Sequence, residues 1–110
     1  MSQVPNKGAT LVSANGAISP SGAYTLFVVT KVTSPQTICA MTLAAPAADG
    51  QEIDVVDGVG QDHTLTATSL VNGGGKSLLT WGGTIGSTLG LIAYNGYWWV
   101  KSLQGVSITS

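Results

Sequence analysis

Leu89-Gly90-Leu91-Ile92-Ala93-Tyr94-Asn95-Gly96-Tyr97-Trp98-Trp99-Val100-Lys101 is the stretch whose reading decides the fold. Two runs rich in β-branched and aromatic residues flank Asn95-Gly96. Asn and Gly tolerate the positive φ angles that a two-residue type I′ turn demands, so the stretch reads as a β-hairpin. Adjacent strand residues point to opposite faces. Trp98 and Trp99 therefore cannot fill the same core. One packs inside, worth roughly 2–3 kcal/mol when fully buried. The other lies on the second face, in a subunit contact, a second layer of the same subunit's core, or a groove for sugar. Trp and Tyr suit interfaces because they bury much area while keeping one polar tip.

Outward from this hairpin the strand signals continue. Tyr24-Thr25-Leu26-Phe27-Val28-Val29 is a dense run of high strand propensity. Residues 37–43 alternate, with Cys39, Met41 and Leu43 on one face and Ile38, Ala40 and Thr42 on the other; Pro46 and Asp49-Gly50 close the run as a turn. In Glu52-Ile53-Asp54-Val55, Ile53 and Val55 face the core, and in His63-Thr64-Leu65-Thr66-Ala67-Thr68, Leu65 and Ala67 do. Between them residues 57–62 read as a hairpin loop. Asn72-Gly73-Gly74-Gly75 reads as a flexible loop before the strand Leu78-Leu79-Thr80-Trp81. No window of helical length carries an i, i+3, i+4 apolar pattern. The expectation is a single all-β domain over residues 21–110, an antiparallel sandwich, jelly-roll-like or a partly open barrel. Residues 1–20 are rich in Gly, Ser, Asn and Pro and read as an extended arm, with only Thr10-Leu11-Val12 resembling a strand.

Composition narrows the function. The 110 residues hold four lysines, no arginine and five acids, for a net charge of −1 and 8% charged residues against 44% hydrophobic ones. Soluble proteins carry about 25% charged residues. A surface so poor in charge is explained by burial against identical subunits or a larger assembly, or by a neutral Thr/Ser-rich exterior. Lys7, Lys31, Lys76 and Lys101 are scattered, which argues against nucleic acid. No stretch approaches the roughly 18 apolar residues of a membrane span, and the N-terminus has no apolar signal region. Cys39 has no second cysteine to pair with, so the expected site of synthesis is a cytoplasm.

The chemical motifs reduce to structure. Gly75-Lys76-Ser77 lacks the glycine five residues earlier and the following helix of a phosphate loop. Asp54, Asp57 and Asp62 are interrupted by valines and lack the closing Glu of a calcium loop, so they read as solvated turn carboxylates. His63 is the only imidazole. It reads as a hydrogen-bonded structural or surface residue, since no nucleophile elbow accompanies it and one imidazole with one cysteine makes no zinc site. The expectation is no catalytic residue, no cofactor and no metal.

Three segments carry a family resemblance: Ala47-Ala48-Asp49-Gly50-Gln51-Glu52-Ile53, His63-Thr64-Leu65-Thr66-Ala67, and Leu91-Ile92-Ala93-Tyr94-Asn95-Gly96-Tyr97-Trp98-Trp99-Val100. Over roughly residues 40–102 the chain resembles the β module that recurs in tailed-bacteriophage head-fibre, capsid-decoration (cement) and tail-fibre proteins. The resemblance implies a homotrimer and no catalytic residues. It also implies a place on the virion, with the major capsid protein as partner for a decoration protein or a receptor, with glycan as one form, for a fibre tip. A short chain that starts directly on its lead-in suits capsid decoration. The candidate interface residues are Trp81, Tyr94, Tyr97, Trp98 and Trp99, with Leu11 and Val12 in the lead-in.

Overall fold

The computed structural model describes residues 9–30 and 38–110. Its strands are β1 (Thr10–Val12), β2 (Gly16–Ala17), β3 (Tyr24–Val29), β4 (Ala40–Thr42), β5 (Glu52–Asp57), β6 (Thr64–Val71), β7 (Lys76–Trp81), β8 (Thr88–Tyr94), β9 (Tyr97–Gln104) and β10 (Val106–Thr109). The molecule is all-β, and the described residues contain no α-helix. Alternation makes the layers: in β3 and β5 every second side chain is buried and the intervening ones are half-exposed.

The strands divide into two five-stranded layers. In the front layer β1, β3 and β5 run parallel, and β8 and β9 continue the sheet antiparallel. In the back layer β2, β4 and β6 run parallel, and β7 and β10 continue it antiparallel. A single bridge, Val71 opposite Trp98, joins the layers into one hydrogen-bonded path. The first half of the chain thus winds front, back, front, back, as a short two-sided solenoid of three turns. The second half closes that solenoid with hairpins.

One core fills the space between the layers. Phe27, Val29, Ile53, Val55, Leu89, Leu91 and Trp98 enter from the front, and Met41, Leu65, Ala67, Leu79 and Trp81 from the back. Both buried indoles satisfy their N–H groups, Trp81 Nε1 donating to the Ser87 carbonyl at 3.2 Å and Trp98 Nε1 to the Ala44 carbonyl at 2.9 Å. A buried N–H left without an acceptor would cost about 1–3 kcal/mol. The Asn95-Gly96 turn has φ of 55° and 81°, as a type I′ turn requires.

Three expectations change. Half of the pairing is parallel, whereas the sequence suggested antiparallel strands throughout. Parallel sheets usually show continuous apolar runs because both faces are covered. Here each layer keeps an open outer face, so its parallel strands alternate like antiparallel ones. Residues 57–62 form no hairpin, because β5 and β6 lie in different layers and the loop crosses between them. The lead-in is also not a free arm over its described part: β1 and β2 belong to the sheets, and Val12 and Ile18 are buried. Residues 1–8 and Thr37 lie outside the described residues.

Two substitutions test this packing. Trp98→Ala should cost about 3–5 kcal/mol in a urea melt, the range for emptying a buried aromatic position. Gly58→Ala would place a Cβ 2.8 Å from the Val29 carbonyl oxygen and 3.1 Å from Val28 Cγ1. Backbone cannot yield cheaply there, so a loss of about 1–3 kcal/mol is expected. An unchanged midpoint for Gly58→Ala would mean that the β5 exit is looser than described.

Candidate functional site

The outer faces of the two layers differ in chemistry. On the front layer the register aligns Tyr24, Glu52, Ile92 and Trp99 in one row, Leu26, Asp54, Gly90 and Ser102 in the next, and Leu11, Val28, Val56, Thr88 and Gln104 in a third. Apolar groups dominate this face, and Leu11 at its edge is 66% exposed. The back layer instead aligns Ala40, Thr64, Thr80 and Ser107, then Thr42, Thr66, Leu78 and Thr109. Apart from Leu78 these two rows are small or hydroxylated and carry no charge.

The charged side chains of the front face are gathered in one cluster, two carboxylates sharing one ammonium. Lys101 Nζ donates to Glu52 Oε1 at 2.6 Å and lies 4.0 Å from Asp54 Oδ1, while the Tyr24 hydroxyl donates to Asp54 Oδ2 at 2.8 Å. Gly90 makes room for this cluster: a Cβ there would meet Ser102 Oγ, Asp54 Oδ1 at 2.9 Å and Lys101 Cε at 3.1 Å. A bulge between Gly90 and Leu91 throws Lys101 out of the regular alternation and over the carboxylates. Partial burial, then the hydrogen bond to Asp54 and the charges of Asp54 and Glu52, push the Tyr24 phenol up to about 12. The hydrogen bond to Glu52 holds the Lys101 ammonium above its ordinary value despite the opposing effect of burial, and the charge of Asp54 adds to it.

The aromatic candidates separate. Trp81 and Trp98 are sealed in the chain's own core, and Val12 is largely buried at the edge of a recess beside Leu11. Trp99 points outward, donates from Nε1 to the Tyr94 carbonyl at 3.0 Å, and lies over Gly73, whose Cβ would meet the ring at 3.0 Å. Tyr97 packs in the same way over Gly74. The loop of residues 72–75 is thus a tight turn braced by two rings, with Asn72 Oδ1 accepting from the Val100 N–H at 3.0 Å. Tyr94, at the hairpin tip, is 61% exposed. Of the seven candidates, Leu11, Tyr94, Tyr97 and Trp99 remain at the surface.

A second polar cluster is fully internal, and sequence reading missed it. Asp57, read as a solvated turn carboxylate, is completely buried beside an equally buried His63. Its Oδ1 accepts the N–H groups of Val59 at 2.9 Å and Gly60 at 2.7 Å, and its Oδ2 accepts that of Gln61 at 3.1 Å. His63 Nδ1 accepts the Cys39 backbone N–H at 2.9 Å. A backbone amide can only donate, so Nδ1 carries no proton and Nε2–H donates to Asp57 Oδ1 at 3.2 Å. Both ring nitrogens are thus committed to partners within the chain, and neither side chain is exposed. The signal available in the sequence was Asp57 followed at once by Gly58-Val59-Gly60, a backbone able to wrap a carboxylate.

No protein-family model matches the chain, and no curated protein is significantly similar to it. Among the described residues no three His, Cys, Asp or Glu side chains converge on a common point that could hold a metal ion. What the geometry offers is a surface: a largely apolar sheet face with one compact charge cluster, opposite a hydroxylated one.

Two measurements check these clusters. Tyr24 has a folded-state pKa above its ordinary 10.0, so its bond to Asp54 contributes fully below pH 10 and is lost as pH rises through about 12. A spectroscopic alkaline titration should show a late phenolate step that is missing in Tyr24→Phe. Asp57→Asn keeps the shape but turns an amide NH₂ toward backbone donors, and should cost about 1–3 kcal/mol in a denaturant melt. A neutral result would remove Asp57 from its place as an internal tie.

Proposed function

We propose that this chain is a non-enzymatic virion structural protein, a decoration (cement) protein that binds the outside of a bacteriophage capsid as a homotrimer and stabilises the shell. The carrying observation is the unequal dressing of the two outer faces. The front face combines Leu11, Leu26, Val28, Val56, Ile92 and Trp99 with charged groups already hydrogen-bonded within the chain. On such a face each carboxylate has a donor, Glu52 from Lys101 and Asp54 from the Tyr24 hydroxyl, which lowers the cost of covering the one net negative charge that remains. The Thr/Ser face of the back layer suits water.

Size fits the reading. Five strands about 4.8 Å apart and about 20 Å long cover roughly 480 Å² of flat footprint. Side-chain relief brings this toward the ~800 Å² per partner of a standard interface. Packing the front faces about a threefold axis would leave the back layers outward. The role is mechanical: each bound copy favours the closed shell by mass action, and many modest contacts add up.

A second reading has its own observation. Tyr94 stands exposed beside Asn95 at the hairpin tip, where an aromatic ring with polar neighbours could stack on a glycan of a host receptor, as a fibre tip would. Copy number separates the two: hundreds on the head for decoration, a few at the tail for adhesion.

Native mass of the pure protein should correspond to three chains or a multiple of three, and Ile92→Lys should break up that threefold set without shifting the melting midpoint. Particles saturated with the protein should release DNA at a higher temperature than bare ones. Equal release temperatures would remove the cement role, and a single-chain mass for the unaltered protein would remove the trimer.

A further inference from the structure

The solenoid has two ends, and they are finished differently. One end is formed by β9 and β10, the outer strands beyond β8 and β7. It is guarded by the devices that stop edge pairing: a bulge between Gly90 and Leu91, and a charged residue, Lys101, within β9. The other end is the first winding, β1 and β2. Among the described residues no strand lies beyond either of them.

That first winding carries none of those devices. From Gly8 through Thr30 the sequence contains no charged residue, and Thr10 through Ile18 contain no proline. Leu11 is 66% exposed, and Val12, Ile18 and Phe27 bring the core to the very end of the stack. Thr10, Leu11, Val12, Ala17, Ile18 and Phe27 border a recess of about 400 Å³ there. Solenoids ordinarily finish in a polar capping repeat, and the described residues supply none at this end.

Backbone polarity says which groups are on offer. Within a strand the N–H and C=O of one residue point to the same side, and those of the next residue to the other. The Val12 carbonyl accepts the Thr30 N–H at 2.9 Å, and the Ile18 N–H donates to the Thr42 carbonyl at 2.9 Å. Val12 and Ile18 thus face inward to β3 and β4. Leu11 and Ala17 present their N–H and C=O groups to the open end.

We propose that this open end is a self-pairing surface, on which the first windings of two copies join head to head by antiparallel strand addition. Any twofold that stacks the two ends reverses strand direction across the joint, so the pairing is antiparallel and the contact closes on itself. Two uncharged windings meet without repulsion, whereas a head-to-tail stack would set the bulged, Lys101-bearing β9 against a flat edge. One such joint is small: strands about 10 Å long on layers about 10 Å apart cover on the order of 200 Å², far below the ~800 Å² per partner of a stable pair. The joint therefore rests on the trimer reading. Three ends held side by side on one axis bind together, and linkage multiplies a weak contact by orders of magnitude. The assembly is then six chains, two trimers meeting at their first windings.

Leu11→Pro and Ala17→Pro test this, because each removes an outward N–H and leaves the bonds to β3 and β4 in place; edge positions tolerate proline. Native mass is measured over a concentration series, with hydrogen exchange of the Leu11 and Ala17 amides in the unaltered protein. The expected result is six chains with both amides protected, falling to three in the proline variants at an unchanged melting midpoint. Three chains with freely exchanging amides would overturn the joint and keep the trimer. Two chains with protected amides would keep the joint and overturn the trimer. One chain with freely exchanging amides would overturn both.

Discussion

The buried carboxylate of Asp57 is the constraint on which the architecture turns. It ends β5 in the front layer, collects three backbone amides of the crossing loop, and receives the His63 N–H from the start of β6 in the back layer. His63 in turn accepts the Cys39 amide, at the entry to β4. The Asp57 main chain bonds the loop before β8, its N–H donating to the Ser87 carbonyl and its carbonyl accepting from Gly86. One side chain and one peptide unit therefore tie four segments at one pole of the sandwich. A charge so deeply placed is tolerable only because every lone pair that matters has a donor. Replacing it with an apolar group would leave several amides without acceptors.

Given that tie, the layers need no second kind of support. Alternation sends one set of side chains into a common core and leaves the other set to define two faces of unlike character. The low charge of the chain shows differently on the two layers: the back layer is coated largely with threonine and serine, and the front layer gathers its few charges in one hydrogen-bonded cluster. The chain's surface of 5666 Å² is close to the roughly 5700 Å² expected of a compact monomer of its 11.1 kDa mass.

Much of this was legible in the sequence, and the remainder was hidden for definable reasons. The Asn95-Gly96 turn could be read because its φ angles are demanded by so few residue types. The opposite fates of Trp98 and Trp99 followed from strand geometry alone, as did the inward set Cys39, Met41 and Leu43. Strand direction was not legible, because alternation records which face is wet and says nothing of which way a neighbour runs. The strands β2 and β10 escaped notice: Gly16–Ala17 is two small residues held by pairing with β4, and Val106–Thr109 is short and only half apolar. Asp57 was misread because a carboxylate among glycines resembles a solvated turn until the loop is seen to fold around it. The tryptophans were over-assigned to the interface: Trp81 and Trp98 spend their area on the chain's own core.

The change from parallel winding to antiparallel closure sets the order in which the molecule can form. The pairs β6–β7 and β8–β9 are hairpins joined by short turns, so their ends meet at little entropic cost. The pairs β1–β3, β3–β5 and β4–β6 each bring together residues separated by a full circuit of the chain. Ribbons near the C-terminus are thus the natural seed, and the N-terminal coils are laid onto them afterwards. By the same reasoning β1 and β2, paired on one side only among the described residues, are among the strands whose opening would disturb the fewest others.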